Sequence, residues 1–224
     1  TKLFLVRPPQ LANPKEDMQP FIDAMKENHI EQVVFVSLMG VEKNRFVPHR
    51  KIEDMIRISG LGYTFLRPSF FMQNLSTTHR EDIAVRNELF MPVGKAKTSF
   101  IDTRDIASVA AVCLSETGHL EKSYTLTGKE AISYDDVAQT LTKVLERKIE
   151  YKNPRLLEFR RTIINRGIEK QYANVMTMLY LLTRLGTAEL VTNDVIKLLK
   201  RDPISFEQFA MDYHGCWTKD RGSE

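Results

Sequence analysis

The sequence predicts an α/β fold, in part a doubly wound parallel sheet, with a smaller and mostly helical C-terminal lobe. Three observations predict it. Short apolar runs recur at Leu3–Val6, Val33–Val36 and Tyr63–Leu66, and stretches with helical spacing separate them. Each run stops abruptly, at Arg7-Pro8-Pro9, at Ser37 and at Arg67-Pro68. Strand, helix, strand, helix, strand with short links is the pattern of parallel strands covered by helices. Right-handed crossovers then bring Arg7, Ser37 and Arg67 to one edge of the sheet, where ligands of open α/β sheets bind.

The elements follow in order. Leu3–Val6 begins near the first residue, which points to a fragment or to a start inside a larger domain. An all-apolar strand of this kind expects neighbours on both sides. Asn13 followed by Pro14, with Glu16 and Asp17 behind, opens a helix carrying Phe21, Ile22 and Met25. Pro48 to Ser59 reads as a helix with Ile52, Met55 and Ile56 on one face and Gly60 closing it. Lys51 and Glu53 on that helix read as surface or intrahelical pairing charges. Leu89–Met91 and Ser99–Ile101 are short strand candidates around Gly94. Asp102 to Asp105 caps a helix bearing Ile106, Val109, Ala110 and Leu114, and Ser123–Thr127 alternates like a strand. Ser133 with Asp136 resembles a capping box opening a helix to about Leu145. From Asn153 onward the pattern is helical, with an apolar stripe at Val175, Met178, Leu179 and Leu182.

Composition excludes several classes. The chain of 224 residues, 42% hydrophobic and 27% charged, is long enough to bury a core and is neither disordered nor membrane-like in composition. A net charge of +3 from 32 basic and 29 acidic residues gives no nucleic-acid footprint. Cys113 and Cys216 are the only cysteines, which argues against a disulfide framework or zinc site and fits a reducing, cytoplasmic setting. No apolar run reaches the length of a membrane span.

Few residues could carry chemistry. Gly60-Leu61-Gly62 sits between a helix and the next strand, whereas a phosphate loop follows a strand and opens a helix, so no phosphate cradle is visible. Ser37 either orients a ligand carbonyl or caps its loop. His49, in the first turn of a helix, either donates to a bound carbonyl or ribose or is a solvated cap-turn residue. Phe70-Phe71-Met72-Gln73-Asn74 is either an apolar wall for a flat ring, with Asn74 as its polar group, or a hinge into the lobe. Cys113, mid-helix among alanines and valines, reads as core. His29, His79, His119 and His214 have no partner at useful spacing.

The run LVRPP, then VVFVSLMGVEKN, PHRKIEDMIRISGLGYTFLRPSFFMQNL, TSFIDTRDIA and YTLTG, with DPISFEQFAMDY in the tail, resembles the NmrA-like group. These are atypical short-chain dehydrogenase/reductases that include NAD(P)H-dependent quinone and triphenylmethane-dye reductases. The resemblance implies a Rossmann-like NAD(P)-binding domain over 1–145, incomplete and with interleaved lobe segments, and a mostly helical substrate lobe over 146–224. Family members begin with a strand and a glycine-rich GxxGxxG turn. This chain matches from the fourth strand, lacking two to three βα units of roughly 30 residues each. NADP or NAD would therefore bind weakly or not at all, and the first strand would be an open edge prone to self-association.

The resemblance also assigns residues. Arg7, Pro8 and Pro9 would border the cofactor, Ser37 would match the family serine, and His49 would stand at the lysine position and touch the ribose. Arg45 stands where the family tyrosine would be, and arginine cannot deliver a proton near neutral pH. Pro68, Ser69 and Phe70 would flank the nicotinamide, and Phe71, Met72, Asn74 and Met178 would line the substrate side. Ser37 and His49 are the expected catalytic pair. The implied activity is hydride transfer from NAD(P)H to a quinone-like or other flat electrophile, possible or lost in this short chain, and the alternative is a non-catalytic NAD(P)-sensing module. The expected partners are the dinucleotide and a small aromatic substrate, without nucleic acid or membrane.

Overall fold

In the computed structural model, which describes residues 1–8, 13–44 and 47–218, the chain begins with β1 (Lys2–Val6), α1 (Pro14–Glu27), β2 (Gln32–Val36), α2 (Pro48–Ile58) and β3 (Gly62–Pro68). There follow α3 (Arg80–Ala84), β4 (Glu88–Phe90), β5 (Lys97–Thr98), α4 (Thr103–Ser115), β6 (Lys122–Leu126) and β7 (Ile132–Ser133). The rest is α5 (Tyr134–Leu145), β8 (Glu150–Lys152), α6 (Leu156–Asn165), α7 (Lys170–Arg184), α8 (Asp194–Leu199) and α9 (Phe206–Asp212).

Two units divide the chain. The first is Thr1–Ser69, Thr103–Thr127 and Thr192–Pro203, and the second is Phe70–Asp102, Gly128–Val191 and Ile204–Glu224. The two units interleave on both sides of residue 145. Within 1–145, residues 70–102 and 128–145 belong to the second unit, and Thr192–Pro203 belongs to the sheet unit, where α8 packs on α4 and β6.

The first unit is a four-stranded sheet of order β1-β2-β3-β6, parallel throughout. Val6, Val36 and Leu66 are in register, so the residues after them, Arg7, Ser37 and Arg67, share the C-terminal edge as the sequence pattern predicts. Alternation sets the two faces. Leu5, Val33, Phe35 and Phe65 pack with Met18, Ile22 and Met25 of α1 and with Ile52 and Ile56 of α2. On the opposite face the Gln32 amide donates to Thr64 Oγ1 (2.8 Å) and to the Cys113 carbonyl (3.3 Å), which fixes α4 there. Helices therefore flank both faces, the doubly wound arrangement.

β1 stands at a sheet edge, as the family resemblance implies and unlike the neighbours on both sides that its apolar run suggests; it buries only Leu5, while Phe4 and Val6 are exposed, because among the described residues it pairs with β2 alone. Two other details differ from expectation. In α1 it is Met18 that joins Ile22 and Met25 inside, and Phe21 is exposed. Glu53 is fully buried and not on the surface, although it keeps the intrahelical pairing expected of it, with Arg57 at 3.3 Å. Gly60, at φ +79°, ends α2 in the left-handed conformation as predicted.

In the second unit the short strands around Gly94 do not pair with each other. β4 pairs with β8 in parallel, β5 pairs with β7 antiparallel, and Phe71 bridges Ile101. The capping box forms in both directions, with Asp136 N–H donating to Ser133 Oγ (3.2 Å) and Ser133 N–H donating to Asp136 Oδ2 (2.9 Å). The core gathers Phe100, Tyr134, Leu141, Phe159, Phe209 and Trp217, whose indole N–H donates to the Leu75 carbonyl at 2.9 Å. The predicted stripe on α7 is its outer side: Val175, Met178 and Leu179 are 40–48% exposed, and Ala173, Met176, Tyr180 and Thr183 are buried. The buried positions keep helical spacing but use small and polar residues, whose hydroxyls are satisfied by His79 and by the Leu179 carbonyl.

Candidate functional site

The C-terminal edge of the sheet collects polar groups because each apolar strand ends there. Ser37, directly after β2, is buried, and its N–H donates to the Leu66 carbonyl at 2.7 Å. Its hydroxyl has no hydrogen-bond partner among the described residues. His49, the second residue of α2, stacks on Phe35 of β2, with ring centroids 6.1 Å apart and planes at 23°. Its Nδ1 is likewise buried and without a partner among the described residues. Burial, reinforced by the charge of Arg7 and opposed by Glu53, lowers the His49 pKa to about 4. The imidazole is therefore neutral at physiological pH and can donate at one nitrogen and accept at the other. Arg7 follows β1, and burial lowers its own pKa against the pull of Asp17. Pro8 is exposed, and Pro9 and Arg45 lie outside the described residues. Pro68 ends β3 with its carbonyl accepting from Met39 N–H at 2.9 Å, and buried Ser69 donates its N–H to Leu126 at 2.9 Å.

A residue whose burial the sequence did not reveal anchors the helix carrying His49. Glu53, one turn after His49, accepts from Arg67 Nε at 3.0 Å and Nη2 at 2.7 Å, and from Arg57 Nη2 at 3.3 Å. Arg57 covers the Phe65 ring, its guanidinium carbon 4.7 Å from the centroid. Burial pulls the Arg67 pKa down, but the hydrogen bonds and charge of Glu53 outweigh it and the net shift is upward. The signal in the sequence was Arg67 itself, a charge within an apolar strand that needs a buried partner.

In the second unit, Phe70 and Asn74 line a small cleft that opens to solvent. Its other walls are Thr78, His79, Tyr172, Met176, Leu179 and Tyr180, none of which the sequence reading singled out for a site. Of the remaining predicted residues, Phe71 is partly buried at the bridge to Ile101, Met72 is in the core, and Met178 is exposed on α7; none of the three lines the cleft. Nothing local signals the His79–Tyr180 contact, since 101 residues separate the two. Burial pushes the Cys113 thiol up to about 11, so it stays protonated core, as the sequence predicted. Among the described residues no group of His, Cys, Asp and Glu could hold a metal ion, and no helix is long and apolar enough to cross a membrane.

The sequence pattern of the NmrA-like family matches residues 4–210, nearly the whole chain. The chain belongs to the NmrA-like family. Among curated relatives, the Prestalk A differentiation protein A of Dictyostelium discoideum is 28% identical over 94% of this chain and 69% of its own length. The NAD(P)H azoreductase of Xenophilus azovorans is 34% identical over 70% of this chain, which spans 55% of that enzyme. Among solved structures, the NADPH-dependent quinone oxidoreductase of Escherichia coli, complexed with NADPH, superposes with a TM-score of 0.87 at 21% identity, over 95% of this chain and 76% of that one. The Rossmann-like fold of this NmrA-like chain is thus the fold of NAD(P)-binding reductases.

Proposed function

We propose that the chain is an NAD(P)H-dependent reductase of a flat, quinone-like electrophile. The observation that carries this reading is the pair of buried polar atoms, Ser37 Oγ and His49 Nδ1, on the C-terminal side of a parallel sheet, neither with a partner among the described residues. Buried polar groups are nearly always hydrogen-bonded, so an orphaned pair at a ligand edge fits ligand hydroxyls or carbonyls. The ribose of a nicotinamide dinucleotide supplies both kinds of oxygen, and its bound dihydronicotinamide would supply the hydride. Ser37 and His49 would orient the ribose, Arg7 would bring a positive charge toward the phosphates, and Pro68, Ser69 and Phe70 would border the ring. With its pKa near 4, His49 acts as a neutral hydrogen-bonding group and not as a cationic acid. Phe71, Asn74 and Met178 keep the substrate-side assignment of this reading, and Met72, buried in the core, falls out of it. Gly40 after β2 and Gly128 after β6 are single glycines and not a glycine-rich turn, so the edge as given offers ribose contacts and a cation, and weak dinucleotide binding is the matching expectation. The named azoreductase relative and the quinone oxidoreductase fold support the substrate class. Two free cysteines suit the cytoplasm, where reduced dinucleotide is available.

Calorimetric titration with NADPH and NADH, followed by NADPH oxidation with a quinone, tests the reading. Binding that weakens in Ser37→Ala and His49→Asn, with turnover that falls in Phe71→Ala, is the expected result. Binding of neither dinucleotide overturns it, and turnover unchanged in both His49→Ala and Phe71→Ala overturns this site. The absence of a cationic acid at His49, together with a relative named as a differentiation protein, favours a second reading as an NAD(P)-sensing module without turnover. A partner set that changes with NADP(H), in a chain that binds dinucleotide but never oxidises it, distinguishes that reading.

A further inference from the structure

The cleft of the second unit holds a hydrogen-bonded pair that the reductase reading does not use. His79 Nε2 lies 2.6 Å from the hydroxyl of Tyr180, and both residues are almost fully buried, at 4% and 7% exposure. The two residues also form part of the cleft wall, where Phe70, Met176 and Leu179 supply apolar surface beside Asn74, Thr78 and Tyr172. The Phe70 ring runs nearly parallel to Tyr180, with planes at 21° and centroids 6.5 Å apart, and gives the cleft a flat aromatic side. Asp82 Oδ2 stands 3.9 Å from His79 Nδ1, too far for a direct hydrogen bond, and its other oxygen is taken by Arg166 (2.6 Å) and Arg86 (3.0 Å). No direct hydrogen bond to Asp82 therefore fixes the His79 tautomer.

That freedom has a chemical consequence. With the proton on Nε2, His79 donates to the Tyr180 oxygen and releases the phenol O–H to donate to a ligand carbonyl. With the proton on Nδ1, His79 accepts from Tyr180, and the phenol oxygen keeps its lone pairs for a ligand hydroxyl. Burial keeps the phenol protonated. One pair of side chains can thus serve both a ring carbonyl and a ring hydroxyl, the two oxygens by which a quinone and its hydroquinone differ.

We propose that this cleft binds a single flat ring bearing oxygen, a quinone or its hydroquinone, with the ring against Phe70 and its oxygen on the Tyr180 hydroxyl, which His79 positions. The choice of ring class rests on the reductase reading, whereas the cleft and the pair do not. Equilibrium dialysis of the full chain without dinucleotide, against duroquinone and its hydrocarbon counterpart durene, reads the proposal directly. The expected result is about tenfold tighter binding of duroquinone, the size of one hydrogen bond that a buried group would otherwise lack. Tyr180→Phe should erase this preference and leave durene binding unchanged, an outcome that general loosening of the fold would not give. Leu179→Trp, at a half-exposed cleft position, should block both ligands. Equal affinities in the unaltered chain, a preference that survives Tyr180→Phe, binding of both ligands in Leu179→Trp, or binding of neither ligand in the unaltered chain would each overturn the proposal. NADPH titration of the same samples is read separately: its failure with the duroquinone preference intact overturns the reductase reading and leaves the cleft standing.

Discussion

Arg67 grips Glu53 with two parallel hydrogen bonds, Nε to Oε1 at 3.0 Å and Nη2 to Oε2 at 2.7 Å, and so ties the end of β3 to the helix that carries His49. The carboxylate is wholly buried, while the Arg67 side chain is 13% exposed. Removing one partner of such a pair strands the other charge, at a cost of about 3–5 kcal/mol. Arg67→Met should therefore destabilise the chain more than Glu53→Met, because the stranded arginine retains Glu42 at 3.5 Å and some solvent, whereas the stranded carboxylate retains, among the described residues, only Arg57. The double variant should be less destabilised than the sum of the singles. Urea denaturation of the three variants gives all three numbers, and additive losses would show that the pair is not coupled.

His49 sets an acid limit on stability. Its pKa falls from the ordinary 6.5 to about 4 in the folded chain, through burial first and the Arg7 charge second. The unfolded chain therefore takes up a proton on this residue at a pH where the folded chain refuses it. The stabilising contribution is fully present above pH 6.5 and is lost as the pH drops toward 4, by up to about 3 kcal/mol. His49→Asn should flatten the stability profile between these limits and leave the profile above pH 7 parallel to that of the unaltered chain. Chemical denaturation across that range checks it, and an unchanged acid slope would place the imidazole in solvent.

Much of this fold was legible in local pattern. Val33–Val36 is apolar at every position because β2 is central, and the stops at Arg7, Ser37 and Arg67 marked the shared edge before the register was known. Asn13-Pro14, Ser133-x-x-Asp136 and Gly60 signalled helix ends through backbone chemistry that needs no tertiary context. What stayed hidden depends on distant partners. Glu53 is ordinary on a helix until Arg67, fourteen residues on, turns it inward. His79 gains meaning only from Tyr180, and the buried side of α7 was missed because Ala173, Tyr180 and Thr183 do not look like a core stripe. Ser37 and His49 were found by position, but their lack of partners is a property of the packed chain.

Ser37→Ala separates a binding role from a structural one. The hydroxyl has no partner among the described residues, while the backbone N–H to Leu66, at 2.7 Å, survives the change. Deleting an unsatisfied buried hydroxyl removes a desolvation penalty, so stability should hold or rise by about 1 kcal/mol. NADP(H) affinity should drop about tenfold over the same change, the loss of one ligand hydrogen bond. A melting curve and a titration on one sample decide it. A clear fall in melting temperature would mean that the hydroxyl is spent inside the protein.

Gly62 and Gly60 look alike in sequence and should respond differently to alanine. At Gly60 the strain is conformational: φ is +79° and a Cβ would meet open space. The cost there is the left-handed penalty of an L residue, about 1–2 kcal/mol. At Gly62 the backbone is ordinary, but a Cβ would lie 2.3 Å from the carbonyl oxygen of Glu31 and 2.8 Å from Leu120 Cδ2. Leu120 can turn aside, whereas Glu31 is backbone leading directly into β2. Relief therefore requires shifting β3 against β2 where Gln32 and Gly62 begin their register, a change that spreads through the parallel sheet. The overpacking cost is about 3 kcal/mol. Gly62→Ala should accordingly be the more destabilising of the two in urea, and hydrogen exchange should show β2 and β3 amides opening more readily in it but not in Gly60→Ala. The reverse order would mean that the strand ends yield more easily than a fixed parallel register allows.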